Sequence, residues 1–259
     1  MNNHKNIFSF NILENKVLNE DYFLLKLFSE KLLPQMLPGQ FCQVLVENTN
    51  TVFLRRPISI FDFDCKKNTV SLLVKINGKG TAILAELNNL QRLNIILPLG
   101  NPFTFVNDCK KVLMIGGGCG IAPLYFAAKK AKKSGIEVDC AFGFKNKSQI
   151  ILEKEFSEFA RVYLTCEDGS CGEKGNVLQH SLFKNSEFNY DKIISCGPEP
   201  MLKAVAKMAK EKNIDCEVSL ENLMACGIGA CLCCVNTKVT GTKSVCVDGP
   251  VFNINELLW

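Results

Sequence analysis

Over residues 1–105, short runs of alternating or β-rich composition recur. They are Tyr22–Leu27, Phe41–Val46, Ser59–Phe63, Val70–Ile76 and Asn94–Leu97. Turn residues separate them: Pro38-Gly39, Asn77-Gly78 and the stretch from Pro98 to Pro102. Many short strands punctuated in this way predict a small antiparallel β-barrel. One helix-like stretch, Thr81–Leu90, interrupts them.

The pattern changes near residue 110. Lys111–Ile115 is a compact apolar run that ends in glycines, and a helical stretch, Ala122–Lys133, follows and stops at Gly135. Next come a strand at Val138–Phe144, a helix at Leu152–Phe159, strands at Val162–Thr165 and Ile193–Ser195, and a helix at Met201–Lys212. Strands alternating with helices predict a parallel sheet covered on both faces. From 216 the chain is short and rich in Gly and Cys, too small to fold on apolar burial alone. The expected units are therefore 1–105, 106–215 and 216–259.

Composition narrows the classes. Apolar residues make up 47% of the 259, enough for a full core, which excludes global disorder. The net charge is +4, and no basic run is dense enough for a nucleic-acid groove. No apolar run reaches the roughly 18 residues of a membrane span. The start, MNNHKNIFSF, lacks the apolar stretch of an export signal, so a cytoplasmic protein is expected. His4 and His180 are the only histidines, which argues against His-rich metal sites and Ser-His or Cys-His catalysis.

Cysteine stands out, with 14 residues, five of them between Cys226 and Cys246. In a reducing compartment a tight group reads as metal-binding rather than disulfide-forming. Cys226, Cys231, Cys234 and Cys246 are spaced as C-x4-C-x2-C followed by a distant Cys, the arrangement of plant-type [2Fe–2S] sites. Three thiolates on one tight loop surround a cluster only if the backbone curls, and Gly227 and Gly229 permit that curl. Backbone N–H groups then face the cluster sulfurs. Cys233 is read as a non-ligand. A four-cysteine zinc site is the bland alternative, although zinc motifs usually pair two C-x2-C elements. The other nine (Cys42, Cys65, Cys109, Cys119, Cys140, Cys166, Cys171, Cys196 and Cys216) read mostly as small buried hydrophobes.

Two loops look made for a dinucleotide. Gly116, Gly117, Gly118 and Gly120 lie between an expected strand and the helix opening at Ala122, where glycines let backbone N–H groups approach a pyrophosphate. The loop is not a full G-x-G-x-x-G, since residue 121 is Ile. Cys196-Gly197-Pro198 follows another strand and opens another helix, so the two loops suggest two walls of one cleft. In the barrel half, Arg56 before a strand and Gly80-Thr81 at a helix start are each weak signals that together suit an anionic phosphate.

In order, Arg56-Pro57-Ile58-Ser59, the run Lys75 to Thr81, the run Gly116 to Leu124 and Cys196 to Leu202 resemble the ferredoxin–NADP reductase superfamily. That resemblance covers essentially the whole chain. It implies an N-terminal FAD-binding antiparallel β-barrel, a Rossmann-like nicotinamide-binding domain with a parallel sheet, and a C-terminal [2Fe–2S] module. Glu221 to Cys234 and Cys246 to Phe252 are similar to the electron-transfer subunits of NAD-dependent, B-type dihydroorotate dehydrogenases. By that likeness Arg56, Pro57, Ile58 and Ser59 contact the flavin and its phosphates. Leu73, Val74 and Lys75 line the flavin, and Gly80 and Thr81 hold its pyrophosphate. Cys226, Cys231, Cys234 and Cys246 ligate the cluster, and Cys196 lies near the nicotinamide.

The same likeness implies an FMN-containing catalytic subunit as partner, in a heterotetramer of two copies of each. Electrons would pass from that FMN through the cluster and FAD to NAD. Small subunits of NAD(P)H-linked ferredoxin oxidoreductases and sulfide dehydrogenases share the flavin and nicotinamide motifs, but typically carry Asp at the position of Cys226. A hydrogenase-linked subunit is a further alternative. A non-enzymatic redox sensor would show degenerate cofactor motifs, and these look intact. Finally, Thr165 to Ser170 follows a strand and carries Glu167 and Asp168, carboxylates suited to ribose hydroxyls and hostile to a 2′-phosphate, which favours NAD.

Overall fold

The computed structural model describes residues 6–47, 49–105 and 109–259. His4 and the expected unit boundary at 105/106 lie at or beyond the edges of the described residues.

The first half forms one antiparallel sheet of seven strands: β1 (Asn6–Val17), β2 (Tyr22–Ser29), β3 (Phe41–Val44), β4 (Arg56–Ser59), β5 (Asp62–Asp64), β6 (Thr69–Lys75) and β7 (Arg92–Leu99). Their order is β4-β3-β7-β1-β2-β6-β5. One continuous segment turns this sheet into a barrel. Arg56–Ser59 pairs with β3, the Phe61 N–H donates to the Ser71 carbonyl, and Asp62–Asp64 pairs with β6. The stretch expected as a single strand, Ser59–Phe63, is thus the corner where the chain passes from one edge to the other. Phe10, Phe23, Leu25, Leu27, Ile95 and Leu97 fill the interior.

The longest strand, β1, was not expected. Phe8, Phe10 and Ile12 point inward, but Ile7, Leu13 and Val17 are apolar and exposed, so alternation is hidden. A register shift between Ile12 and Glu14 breaks it further. The helix expected over Thr81–Leu90 is shorter, α1 (Lys79–Ala85). The Asn15 Nδ2 amide donates to the carbonyls of Leu84, Ala85 and Leu87 at 3.2, 3.0 and 2.7 Å, satisfying the end of the helix and turning the chain away.

The second half is built on β8 (Lys111–Gly117), α2 (Ala122–Lys133), β9 (Glu137–Phe144), α3 (Glu153–Ser157), β10 (Arg161–Cys166), β11 (Glu173–Lys174), β12 (Lys192–Cys196), α4 (Glu199–Glu211) and β13 (Asp215–Ser219). After a small hairpin of β14 (Val235–Asn236) and β15 (Lys243–Ser244), β16 (Val251–Asn253) returns to pair antiparallel with β13. The sheet order is β11-β10-β9-β8-β12-β13-β16, with all strands but β16 parallel. The sheet therefore continues through the boundary expected at 215/216. β13 was hidden by its polar sequence. Glu217, buried on it, lies 3.3 Å from the buried Lys192 ammonium and accepts the Thr104 N–H at 2.9 Å.

Cys166 and Cys171, expected as scattered thiols, are joined in a disulfide across the tip of β10. α2 docks the two halves. Tyr125 stacks on Phe61 with centroids 4.1 Å apart, and Lys129 pairs with Asp62 at 2.5 Å. Among the described residues no helix is long and apolar enough to cross a membrane.

Candidate functional site

The strand order reverses between β8 and β12, since β9 and β10 lie to one side and β13 to the other. Helix connections diverge at such a point and leave a crevice at the carboxyl ends of the strands. A cavity of about 640 Å³ occupies it. Gly117, Gly118 and Gly120 form one wall, Gly197 and Pro198 another, and Lys75 faces them from the barrel. A Cβ on Gly117 would meet Met201 Sδ at 2.9 Å, and one on Gly120 would meet the Cys196 carbonyl oxygen at 2.1 Å. The two loops thus touch, and only glycine fits at 120. Gly116 does not line the cavity; Ile121, Phe142 and Leu124 close over it.

Cys196, the residue before Gly197 of the cavity wall, does not line the cavity and is buried at 3% exposure. Burial pushes its thiol well up, with the Glu221 carboxylate and Cys119 adding to the effect, while a hydrogen bond from Ser219 opposes it. Cys119, partly buried on the cavity wall, is pushed up to about 12 by burial and by Glu221. Both thiols are therefore neutral near pH 7 and are not thiolate nucleophiles.

Tyr22, Asn77 and Glu221, to which the motifs assign no role, also line the cavity. The Tyr22 hydroxyl lies 3.6 Å from where a Gly118 Cβ would be, so the barrel reaches the glycine loop. Glu221 opens onto the cavity, yet protein surrounds it closely enough to raise its carboxyl, and Lys75 counters part of that rise. Glu167 lines the cavity, whereas Asp168 is turned back on its own loop, accepting from the Ser170 N–H at 2.9 Å and hydroxyl at 2.6 Å.

In the barrel, Arg56 lies against the first turn of α1, with its Nε 2.5 Å from a Cβ placed on Gly80. Gly80 therefore makes room for a guanidinium, and the pair forms a cationic cradle suited to a pyrophosphate. The Thr81 hydroxyl accepts the Asn77 N–H at 2.7 Å and lies 3.1 Å from the Gly78 carbonyl, so it shapes the turn. Pro57 is exposed, Ile58 buried and Ser59 half-buried. Leu73 and Val74 are buried in two different cores, which leaves their backbone as what they offer a ligand, while Lys75 is exposed.

The cysteine loop curls through positive φ at Gly227 (68°), Gly229 (88°) and Leu232 (57°). Cys226 Sγ accepts the N–H groups of Ile228 and Cys231, both at 3.4 Å. Burial would raise this thiol, but those N–H groups, the Ala230 N–H and the Cys231 thiol outweigh it and hold it down to about 6. Cys246 donates its N–H to Cys234 Sγ at 3.4 Å, and burial with the Cys234 thiol pushes it up to about 12. Among the described residues no three His, Cys, Asp or Glu side chains form a single metal-holding group. The four thiols stand as two pairs, Cys226 with Cys231 and Cys234 with Cys246. Two pairs fit a two-iron cluster, in which each iron takes two protein ligands. Cys233 is exposed. The loop rests on the barrel: a Cβ on Gly227 would lie 2.4 Å from Gln43 Nε2.

Residues 221–258 match the model of the iron–sulfur cluster binding domain of dihydroorotate dehydrogenase B, and residues 114–207 match the oxidoreductase NAD-binding domain. The chain is 38% identical over 226 residues to the dihydroorotate dehydrogenase B (NAD(+)) electron transfer subunit of Geobacillus sp. (strain WCH70), covering 85% of this chain and 86% of that one. It is 37% identical over 250 residues to the subunit of the same name from Fusobacterium nucleatum, covering 94% and 95%. Its fold matches the solved NADH-dependent reduced ferredoxin-NADP oxidoreductase with a TM-score of 0.86, at 30% identity over 96% of this chain and 90% of that one. These likenesses run from the barrel to the cysteine loop, and the chain belongs to the family of dihydroorotate dehydrogenase B (NAD(+)) electron transfer subunits.

Proposed function

We propose that this chain passes electrons from the FMN of a catalytic dihydroorotate dehydrogenase subunit to NAD, in pyrimidine biosynthesis. The observation that carries the reading is convergence. The cysteine loop rests on the barrel wall through Gly227 and Gln43, and Gln43 stands in register with Pro57 of the flavin motif. The crevice opens to Lys75 and Tyr22 of the barrel and to Glu221, which leads into the cysteine loop. FAD supplies the exchange between a two-electron hydride and single electrons, which the cluster takes one at a time.

The chain's own residues prepare each place. Arg56 and Gly80 neutralise and seat the flavin pyrophosphate, and the backbone at Leu73, Val74 and Lys75 borders its ring. Gly117, Gly118 and Gly120 admit the dinucleotide phosphates, and Gly197 and Pro198 hold the opposite wall. Glu167 accepts from ribose hydroxyls. Cys196 closes the floor beneath the nicotinamide as a neutral thiol, and Cys226, Cys231, Cys234 and Cys246 hold the cluster. In this reading residues 1–105 bind FAD, 106–215 bind NAD and 216–259 bind the cluster. The assembly is a cytoplasmic heterotetramer with two copies of each subunit.

The test is reconstitution. The purified chain reduces artificial acceptors with NADH and does not oxidise dihydroorotate. Adding an FMN-containing catalytic subunit from the same cell creates NAD-dependent orotate formation. If that mixture stays inactive while a ferredoxin restores NAD(P)H-linked transfer, the function is that named for the solved structural relative.

A further inference from the structure

Gln43 is completely buried, and neither its Oε1 nor its Nε2 has a hydrogen-bond partner. Among the buried side chains of the described residues, no other leaves two polar atoms both unpartnered. A buried carboxamide with no partner is destabilising, and one kept in a native interior calls for an explanation, a redox role or a bound group among them. Met would fill similar volume without that cost.

Its position indicates what that partner is. Cys42 and Val44, its neighbours on β3, point into the barrel core. Alternation turns Gln43 the other way, out of the barrel. Its backbone carbonyl accepts from Arg55 Nη1 at 3.3 Å, which anchors the strand here. Its carboxamide meets Gly227, the residue after Cys226, so closely that a Cβ there would lie 2.4 Å from Nε2 and 2.8 Å from Cδ. Gly227 is thus required twice, by its φ of 68° and by the carboxamide against it.

We propose that Gln43 is a positioning residue for the iron–sulfur cluster, its side-chain N–H donating to the sulfur shell of the cluster and holding it against the barrel wall beside the flavin motif. The proposal rests on the ligand set given above. A donor to sulfur stabilises the extra negative charge of the reduced cluster, so Gln43 raises the reduction potential.

The test is a redox titration of the anaerobically purified, FAD-loaded chain, followed by electron paramagnetic resonance. Gln43→Met is compared with wild type, and Gln43→Leu is carried as a second variant. The expected result is full FAD content and a more negative cluster potential. One neutral hydrogen bond corresponds to about a tenfold change in the reduction equilibrium, or about 59 mV for one electron. One exchangeable-proton coupling to the cluster, read by exchange into deuterium oxide, disappears as well. Variants that fold and keep FAD but lose iron also support the role. A variant that loads two irons and keeps the wild-type potential and proton couplings overturns it. The ligand set is judged separately, by whether the wild-type protein shows a two-iron signal at all.

Discussion

The parallel sheet and the cysteine loop are stabilised in opposite ways. β12 is buried at every position and β8 at all but its first. The loop from Glu221 to Cys233 exposes Leu223, Ile228 and Leu232, at 81%, 41% and 64%, and passes through three positive-φ residues. The sheet folds on apolar burial, the dominant favourable term in folding. The loop has little burial of its own. Its anchors lie on both sides of it, Leu220 before and Val239, Val245, Phe252, Ile254 and Leu257 after, packed into the core beneath. A segment held at its ends and poor in burial between them takes its conformation from the group it ligates.

The largest effect that sharpens this contrast is loss of the cluster. Cys226→Ser, Cys231→Ser, Cys234→Ser and Cys246→Ser should each abolish cluster binding, measured as iron per chain after anaerobic reconstitution. Cys233→Ser should keep two irons. In the protein without iron, a protease should cut first within residues 222–233, with FAD still bound. Cleavage of the barrel or sheet at the same rate would erase the distinction between the two regions.

The sheet should fail through packing. Phe156 is fully buried, with edge-on contacts to Tyr125 and Phe142 at 5.2 and 4.7 Å. Phe156→Ala should lower the unfolding free energy by about 3–5 kcal/mol in a denaturant titration. The purified variant should still carry two irons below its lowered midpoint. Iron loss before unfolding would mean that the two regions depend on each other.

Smaller effects separate the crevice from both. Gly120→Ala forces a Cβ to within 2.1 Å of the Cys196 carbonyl, pushing the two loops apart. Flavin reduction by NADH should slow by about 10²-fold in stopped flow, with FAD and iron content unchanged. Glu167→Ala should lower the efficiency of NADH by about tenfold, the worth of one charge-assisted hydrogen bond, and narrow its advantage over NADPH. An unchanged ratio would move recognition of the ribose elsewhere.

What the sequence disclosed follows the same division. β8 and β9 were legible because a strand buried on both faces is a compact apolar run. The cysteine spacing was legible because ligand geometry imposes it regardless of the surroundings. β1 was hidden by apolar residues on its exposed face. β13 was hidden because Glu217 needs Lys192 and Thr104, far away in the chain, to be buried. The places of Tyr22, Gln43 and Glu221 in the site carry no local signal, although all three lie in strands or runs legible from the sequence. Each becomes meaningful only when the barrel, the glycine loop and the cysteine loop meet. The Cys166–Cys171 pair has no signature in cysteine spacing, because it is the turn after β10 that brings the two Cα atoms to 5.5 Å.

The smallest expected effect lies where the two regions join. Glu221 follows the end of β13, opens the stretch that matches the cluster-binding family and faces the crevice. Surrounding protein raises its carboxyl above the ordinary value of 4.5, and Lys75 offsets only part of that. A raised carboxyl means that the folded chain holds its proton at a pH where the unfolded chain has released it. Through that window the unfolded state binds fewer protons, so stability falls as pH rises. Glu221→Gln removes the ionisation. The variant should therefore melt at the wild-type temperature below pH 4.5 and slightly above it near neutral pH, with the difference opening as pH climbs past the ordinary glutamate range. A variant less stable than wild type at neutral pH would show that the attraction of Lys75 outweighs desolvation. Glu221 would then belong with the buried, paired carboxylates of the sheet rather than with the cysteine loop.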